Sequence, residues 1–321
     1  MKRVIVTGAT GFVGANLARK LVSSGHEVHL LVRPSHSHWR IQTILDDLRL
    51  HTVEIRDLEN MSKIVRRIRP EWVFHLAAYG AYPLQRDICQ MMETNTVGTA
   101  NLLQACLQTG FEAFVNAGTS SEYGPKDHAP SEDEPVNPNS YYAVSKAAAT
   151  LFATFCARHE CVGVCTLRLY SVYGPYEEPT RLIPALILRG LSNTLPPLVK
   201  PTTVRDYVYV EDAVDACLLA ATAAGKEPGA VYNIGTGLQT SLSEVVDVAR
   251  RALNIVAEPR WGSLPDRPWD TEVWLADNTR ARAALNWRPR YSFADGFRET
   301  VDWFRANPAM QRLYQSRLPA R

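Results

Sequence analysis

The chain opens on a short apolar run, Arg3-Val4-Ile5-Val6-Thr7. It breaks at Gly8-Ala9-Thr10-Gly11-Phe12-Val13-Gly14 and continues with helical periodicity from Ala15 to Ser23. No other stretch restricts the fold so strongly. A buried strand, a glycine turn and a helix, in that order, meet the physical requirements of a pyrophosphate site. Gly8 permits the tight turn, Gly11 lets backbone approach the phosphates, and Gly14 lets helix pack on strand. Thr10, Phe12 and Val13 complete the turn and count with the glycines as candidate cofactor contacts. The spacing Gly-x-x-Gly-x-x-Gly departs from the older Gly-x-Gly-x-x-Gly fingerprint, so the flanking strand and helix carry the inference.

Strand and helix patterns then alternate. Residues 27–32, 51–55, 72–76, 112–117 and 161–169 read as strands, and 87–108 as one long helix carrying Asn95. This rhythm predicts an α/β fold with a doubly wound parallel sheet of the Rossmann type and ligands at the carboxyl ends of its strands. The glycine turn, Asp57, Ala77, Thr119 and the residues after Arg168 all fall at such ends. The small side chains of Ala77 and Ala78 would let a cofactor lie against backbone. After Ser171 the rhythm weakens and prolines gather, until Tyr232-Asn233-Ile234-Gly235-Thr236-Gly237 supplies a second glycine-bearing loop before a helix at 241–253. Residues 1–170, with about 206–235, therefore read as a dinucleotide-binding domain. Residues 171–205 and 236–321 read as a smaller interleaved α/β lobe that binds substrate.

The second strand should end at the adenosine ribose, where an NAD site usually presents an acid. Here Val32 and Arg33 stand at that point. A guanidinium with no carboxylate favours an adenosine carrying a 2′-phosphate, hence NADP(H), with NAD(H) still possible. Further on, Tyr142 and Lys146 lie one turn apart on a helical run, so both side chains leave one face. A fixed ammonium beside a phenol favours phenolate and should lower its pKa, giving an acid/base usable near neutrality.

Composition narrows the partners. With 46% apolar and 21% charged residues and a net charge of +2, the chain has no basic block to suit nucleic acid or an anionic membrane. No apolar run approaches a membrane span. Met1-Lys2-Arg3 leads straight into a strand, so no signal peptide and a cytoplasmic setting are expected. The six cysteines lack metal-ligand spacing and are expected to be buried reduced thiols. His36-x-His38 reads as solvated loop, and no metal site is expected.

Assembled, these residues resemble the extended short-chain dehydrogenase/reductase family, in its nucleotide-sugar epimerase, dehydratase and ketoreductase group. The resemblance runs from Thr7 to about Asp302 and rests on several motifs. They are residues 7–14, His75-Leu76-Ala77-Ala78, Asn95 with Gly98-Thr99, Thr119 to Gly124, Tyr142/Lys146, Arg205-Asp206-Tyr207 and Asn233 to Gly237. It implies Tyr142 as the acid/base, Lys146 as holder of the nicotinamide ribose, and Thr119 as the hydroxyl bonded to the reacting oxygen. It implies Asp57, followed by Leu58, at the adenine amino group, and Arg205 and Arg267 at the substrate diphosphate. Tyr79, Asn95, Ser120, Ser121, Ser171 and Asn233 join them as expected substrate contacts. Family members often carry asparagine where Ser171 stands and glycine where Trp269 stands. The alanine-rich helix after Tyr142 and the helix around Asn95 resemble the family's dimer bundle, implying a homodimer.

Three reactions are open to such a scaffold. The 4,6-dehydratases need an Asp-Glu pair directly after the threonine, and Ser120-Ser121 stand there; hydroxyls are too weakly acidic and basic for that work. Epimerases recycle a retained NAD. Ketoreductases consume NADPH, which suits Arg33, and Ser120 to Gly124 is similar to the 4-keto-6-deoxyhexose reductases. The expected activity is reduction of a 4-keto group on a nucleotide-linked (deoxy)hexose, with nucleotide-sugar 4-epimerisation as the rival. A non-catalytic dinucleotide sensor is a third possibility, although such relatives typically lose the tyrosine or lysine kept here.

Overall fold

A computed structural model describes residues 1–82, 84–265 and 272–318. Seven parallel strands form its centre: β1 (Arg3–Thr7), β2 (Glu27–Val32), β3 (Leu48–Thr52), β4 (Trp72–His75), β5 (Ala113–Thr119), β6 (Val164–Leu169) and a late strand, Ala230–Ile234, called β10 below. The order β10-β6-β5-β4-β1-β2-β3 reverses at β1. A reversal of this kind opens a crevice at the carboxyl edge of the sheet. The inner strands are largely apolar because helices cover both faces, whereas the edge strand β3 alternates Leu48 and Leu50 with Arg49 and His51. Val4 and Val6 point into one core with Ala15 and Leu17 of helix α1 (Phe12–Ser23). Ile5 points the other way, into a core with Met61 and Val65 of α2 (Leu58–Ile68).

On that second face run α3 (Ile88–Met92), a π turn (Glu93–Val97), α4 (Gly98–Leu107) and α5 (Tyr141–Glu160). The long helix expected at 87–108 is therefore one rod with a π turn in its middle. The third strand lies three residues earlier than the expected 51–55. Leu48 to Thr52 pair in register with Val28 to Val32, while Val53 and Ile55 leave the edge to pack into the core beneath α2.

Beyond β6 the chain builds two small sheets, β7 (Ser171–Tyr173) with β9 (Tyr207–Tyr209), and β8 (Val204–Arg205) with β11 (Thr240–Ser241). Helices α6 (Leu182–Gly190), α7 (Val210–Ala223), α8 (Leu242–Leu253), α9 (Thr279–Leu285), α10 (Phe293–Ala306) and α11 (Pro308–Gln315) complete the described fold. Among the described residues no helix is long and apolar enough to cross a membrane. The expectation of buried thiols holds for Cys106, Cys165 and Cys217, but Cys89 on α3 and Cys161 at the end of α5 are exposed, and Cys156 is half-buried at the margin of the core.

The glycine turn is packed to its steric limit. A Cβ on Gly14 would stand 2.3 Å from the Gly8 carbonyl oxygen and 2.9 Å from the Ala9 Cα. Backbone cannot move aside as a flexible side chain can. We expect Gly14→Ala to destabilise the fold by about 1–3 kcal/mol, read as a lower urea midpoint. An unchanged midpoint would show that the turn has room.

Candidate active site

The cofactor groups come first along the chain. Gly8 (φ +71°) lies so close to the end of β4 that a Cβ would meet Leu76 C at 2.5 Å and Ala77 N at 2.6 Å. Gly11 stands at the N-cap of α1 and offers no side chain to the helix's first N–H groups, which leaves donors for an anion such as a pyrophosphate. Thr10, Phe12 and Val13 are half-buried at the same end. His75, fully buried, bridges Thr7 Oγ1 (2.7 Å) and Thr99 Oγ1 (2.9 Å), and Ala77 N–H donates to Thr7 Oγ1 at 3.2 Å. Burial pushes the His75 pKa down to about 3, with Lys146 adding repulsion, so its ring stays neutral and serves as a pin. Ala77 is half-buried and Ala78 exposed on the crevice side. Asp57 caps α2, accepting from the Asn60 backbone N–H at 3.0 Å, with Leu58 beginning the helix. Arg33 is exposed just beyond β2. These residues fit a nicotinamide dinucleotide laid across the carboxyl edge from β2 to β5.

The reactive groups stand on α5 and on the turn after β5. Ser140 starts the helix by accepting from Ala143 N–H, which puts Tyr142 in its first turn and Lys146 in the next. The Thr119 hydroxyl pulls the Tyr142 phenol's pKa down slightly, which places the two on the same side of the crevice. Ser120 is buried and Ser121 half-buried in the 3₁₀ turn Ser120–Tyr123. Behind them sits a carboxylate the sequence reading missed. Glu122 is wholly buried, accepts from Thr119 N–H (2.9 Å) and Thr150 Oγ1 (3.1 Å), and pairs with Arg168 Nε at 2.9 Å. The Arg168 guanidinium also lies over the Tyr123 ring. Thr119-x-x-Glu122 is a capping-box spacing, and that pattern could have identified Glu122.

The expected depression of the Tyr142 pKa is corrected. Burial, followed by the Glu122 charge, pushes the phenol up to about 12, against a downward pull from Arg181 and a slighter one from the Thr119 hydroxyl. The lysine responds instead: burial brings Lys146 down to about 8, opposed by Glu122. In both groups desolvation, which disfavours the charged form, is the largest influence. At neutral pH the phenol keeps its proton and stands as a donor.

Two expected substrate contacts are also corrected. Asn95 is wholly buried and fully engaged: Oδ1 accepts from Tyr79 N–H, and Nδ2 donates to the Tyr79 carbonyl and Ser145 Oγ, all at 2.8 Å. It holds the loop bearing Tyr79 against α5. Asn233, wholly buried, accepts from Tyr123 Oη and donates to the Pro130 and Asp277 carbonyls. Polar groups this deep complete their bonds inside the protein. Tyr79 and Ser171 remain half-buried near the crevice, with Ser171 N–H given to the Asp206 carbonyl. Arg205 is half-buried with its guanidinium over Trp274. Next to it Asp206, also missed, accepts from Thr236 N–H and Oγ1, Gly237 N–H and Ala276 N–H, which fixes the second glycine loop. Arg267 lies outside the described residues. The His36 and His38 loop is corrected too: both rings are half-buried, not solvated.

The Lys146 shift has a stability consequence with a definite sign. Above about 8 the folded chain has released a proton that an unfolded lysine keeps to its ordinary 10.5, so this group makes stability rise with pH in that window. We expect urea melts from pH 8 to pH 10 to show wild type gaining on Lys146→Met as pH rises. Parallel curves would overturn the assignment.

Comparison with known proteins agrees with this geometry. Residues 4–235 match the NAD dependent epimerase/dehydratase family. The chain is 31% identical to a UDP-glucose 4-epimerase of Mycolicibacterium smegmatis, over 94% of this chain and 98% of that protein. It is 30% identical to a dTDP-glucose 4,6-dehydratase of Streptomyces niveus, over 96% and 94%. The crystal structure of Thermus thermophilus UDP-glucose 4-epimerase in complex with NAD superposes with a TM-score of 0.83 at 31% identity, covering 94% of this chain and 98% of that one. With a parallel sheet reversing at β1, a glycine turn built for pyrophosphate and a Tyr142/Lys146 pair at its edge, the chain belongs to the NAD-dependent epimerase/dehydratase family of extended short-chain dehydrogenase/reductase enzymes.

Proposed function

We propose that the protein reduces a 4-keto group on a nucleotide-linked (deoxy)hexose, using NADPH. The observation that carries the choice of reaction is the turn after β5. Dehydration needs an acid and a base beside the tyrosine, and Ser120 and Ser121 occupy those places. Glu122, the carboxylate that follows them, is wholly buried and committed to Arg168, Thr150 and Thr119 N–H. What remains is hydride exchange at a carbinol or carbonyl carbon.

A nicotinamide dinucleotide, when bound, supplies the hydride that reaches the sugar carbonyl carbon. The chain does the rest. Tyr142 gives its proton to the carbonyl oxygen as charge develops there, and Thr119 shares the stabilisation of that oxygen. Lys146 returns positive charge to the phenolate left behind. A phenol held protonated at neutral pH suits the direction of reduction. Arg33, standing where an NAD site usually shows an acid, supports the choice of NADPH. Arg205, with Arg267, is assigned to the substrate diphosphate, and residues 171–205 and 236–321 to the lobe that closes over it. The thiols, unpaired among the described residues, suit a reducing compartment, and we assign the enzyme to the cytoplasm.

The second reading is nucleotide-sugar 4-epimerisation with a retained NAD, favoured by the 31% identity to an epimerase. The two readings separate on purified protein. Reduction expects little bound cofactor and NADPH oxidation on adding a 4-keto sugar nucleotide, whereas retained NAD with no NADPH consumption would select epimerisation. In either case we expect Tyr142→Phe to bind dinucleotide normally while turnover falls about 10²-fold or more. Wild-type turnover would remove Tyr142 as the acid.

We further propose a homodimer through α5. Tyr141, Val144, Leu151 and Phe155 form an exposed apolar stripe along it, with Ile88, Met92 and Val97 exposed on the neighbouring rod. Stripes of this kind on soluble domains mark interaction surfaces. Light scattering is expected to give twice the chain mass, reduced to one chain by Leu151→Glu with Phe155→Glu. A wild-type monomer would overturn the dimer.

A further inference from the structure

We propose that His29 and His51 form an acid-sensitive latch at the edge of the sheet, and that protonating it loosens the seat of the dinucleotide's adenosine end. The second half rests on the cofactor lying across this edge, as read above. Register brings the pair together. His29 on β2 stands opposite Arg49, and Leu31 opposite His51, so the two imidazoles are diagonal neighbours on one face of adjoining strands. Their rings stack with centroids 5.2 Å apart, and His29 Nδ1 lies 3.0 Å from His51 Nε2. From α2, Arg67 reaches His51 Nδ1 with Nη2 at 3.1 Å. These contacts tie β2, β3 and α2 to one another. β2 ends at Val32, directly before Arg33, and Asp57 caps the start of α2 just beyond β3. Both residues are assigned above to the adenosine end.

A guanidinium can only donate, and that fixes every proton along the chain of contacts. His51 Nδ1 accepts from Arg67, so His51 Nε2 carries the hydrogen and donates to His29 Nδ1. His29 then keeps its own hydrogen on Nε2, which faces the Glu27 carboxylate across 3.4 Å without a completed hydrogen bond. No ring nitrogen can take a further proton without breaking a link. An added proton on His51 Nδ1 would point at the Arg67 N–H groups, and one on His29 Nδ1 would point at the His51 N–H. The surroundings oppose it as well. Among the described residues the charged groups facing the pair are Arg3 on β1, Glu27 on β2, Arg49 on β3 and Arg67 on α2, three cations to one anion. Glu27 is itself bound to Arg49 at 2.8 Å. Burial is the largest influence on both rings. At His29 it is joined by Arg49 and Arg3 against a pull from Glu27, and the ring is held below its ordinary value. At His51 it is joined by His29, Arg67 and Arg49, and the ring falls from 6.5 to about 4. A folded chain that refuses protons its unfolded form accepts loses stability as pH falls, here from 6.5 towards 4.

The test is a series of urea melts from about pH 7.5 to about pH 5, run beside NADPH and NADH titrations at both ends. It needs no turnover. Between those limits we expect the unfolding constant of wild type to rise about tenfold more than that of His29→Asn combined with His51→Gln, where neither side chain titrates. Arg67→Met is the second variant. It keeps both imidazoles but frees His51 Nδ1, and its rise is expected to fall between the other two; should the double variant fail to fold, it carries the comparison with wild type. Equal slopes in the proteins compared would overturn the latch. The tighter-binding dinucleotide is expected to weaken towards pH 5 in wild type and to hold its affinity in the variants. An affinity that falls equally in the variants would overturn the link to the adenosine seat. If neither dinucleotide binds wild type at pH 7.5, the cofactor reading falls, and the urea series still decides the latch.

Discussion

A carboxylate and a guanidinium removed from water, Glu122 and Arg168, tie the working edge of this protein together. An ion pair so placed is held by its surroundings: breaking one partner leaves a charge with no solvent, at a cost of about 3–5 kcal/mol. Through Glu122 the pair fixes the Thr119 N–H and reaches Thr150 on α5; through Arg168 it anchors β6 and stacks on Tyr123, whose hydroxyl reaches Asn233 on β10. Three strands, one helix and the turn between them are therefore aligned by one buried contact. The hydroxyls that would touch substrate inherit their positions from it.

Much of the architecture was legible in the sequence. The glycine turn, the βα rhythm and the strand ends follow from periodicity and from residues with few conformational alternatives, and these are local properties. Tyr142 and Thr119 were found by type and spacing, one on α5 and the other at the end of β5. The sequence reading failed where function and support use the same kinds of residue. Asn95 and Asn233 sit among the motifs that mark the site, yet both are sealed in the core as fasteners. Glu122, Arg168 and Asp206 do similar work and were passed over. A sequence shows that a polar residue is present; only the three-dimensional arrangement says whether its partners are protein or ligand.

The same distinction governs the electrostatics. Placing a lysine one turn from a tyrosine suggests phenolate when the pair is imagined in water. In the folded protein Lys146 is buried and Tyr142 half-buried, and desolvation is the largest influence on each. The consequence is a protonated phenol beside an amine close to giving up its charge. Any ligand that enters brings new charges and rewrites this balance, so the resting values describe a site prepared to donate.

The π turn at Glu93–Val97 has a further consequence. One additional residue in a helical turn advances every later side chain by about 100° around the axis. Asn95 lies inside that turn, and Thr99, which meets His75, lies just past it. The rod therefore works as a combination lock with two dials: its first part is set against the Tyr79 loop, and its second against the pin beneath the glycine turn. Removing a single residue here would leave the helix intact as a helix while turning one dial away from the other, so length in this stretch is as constrained as identity.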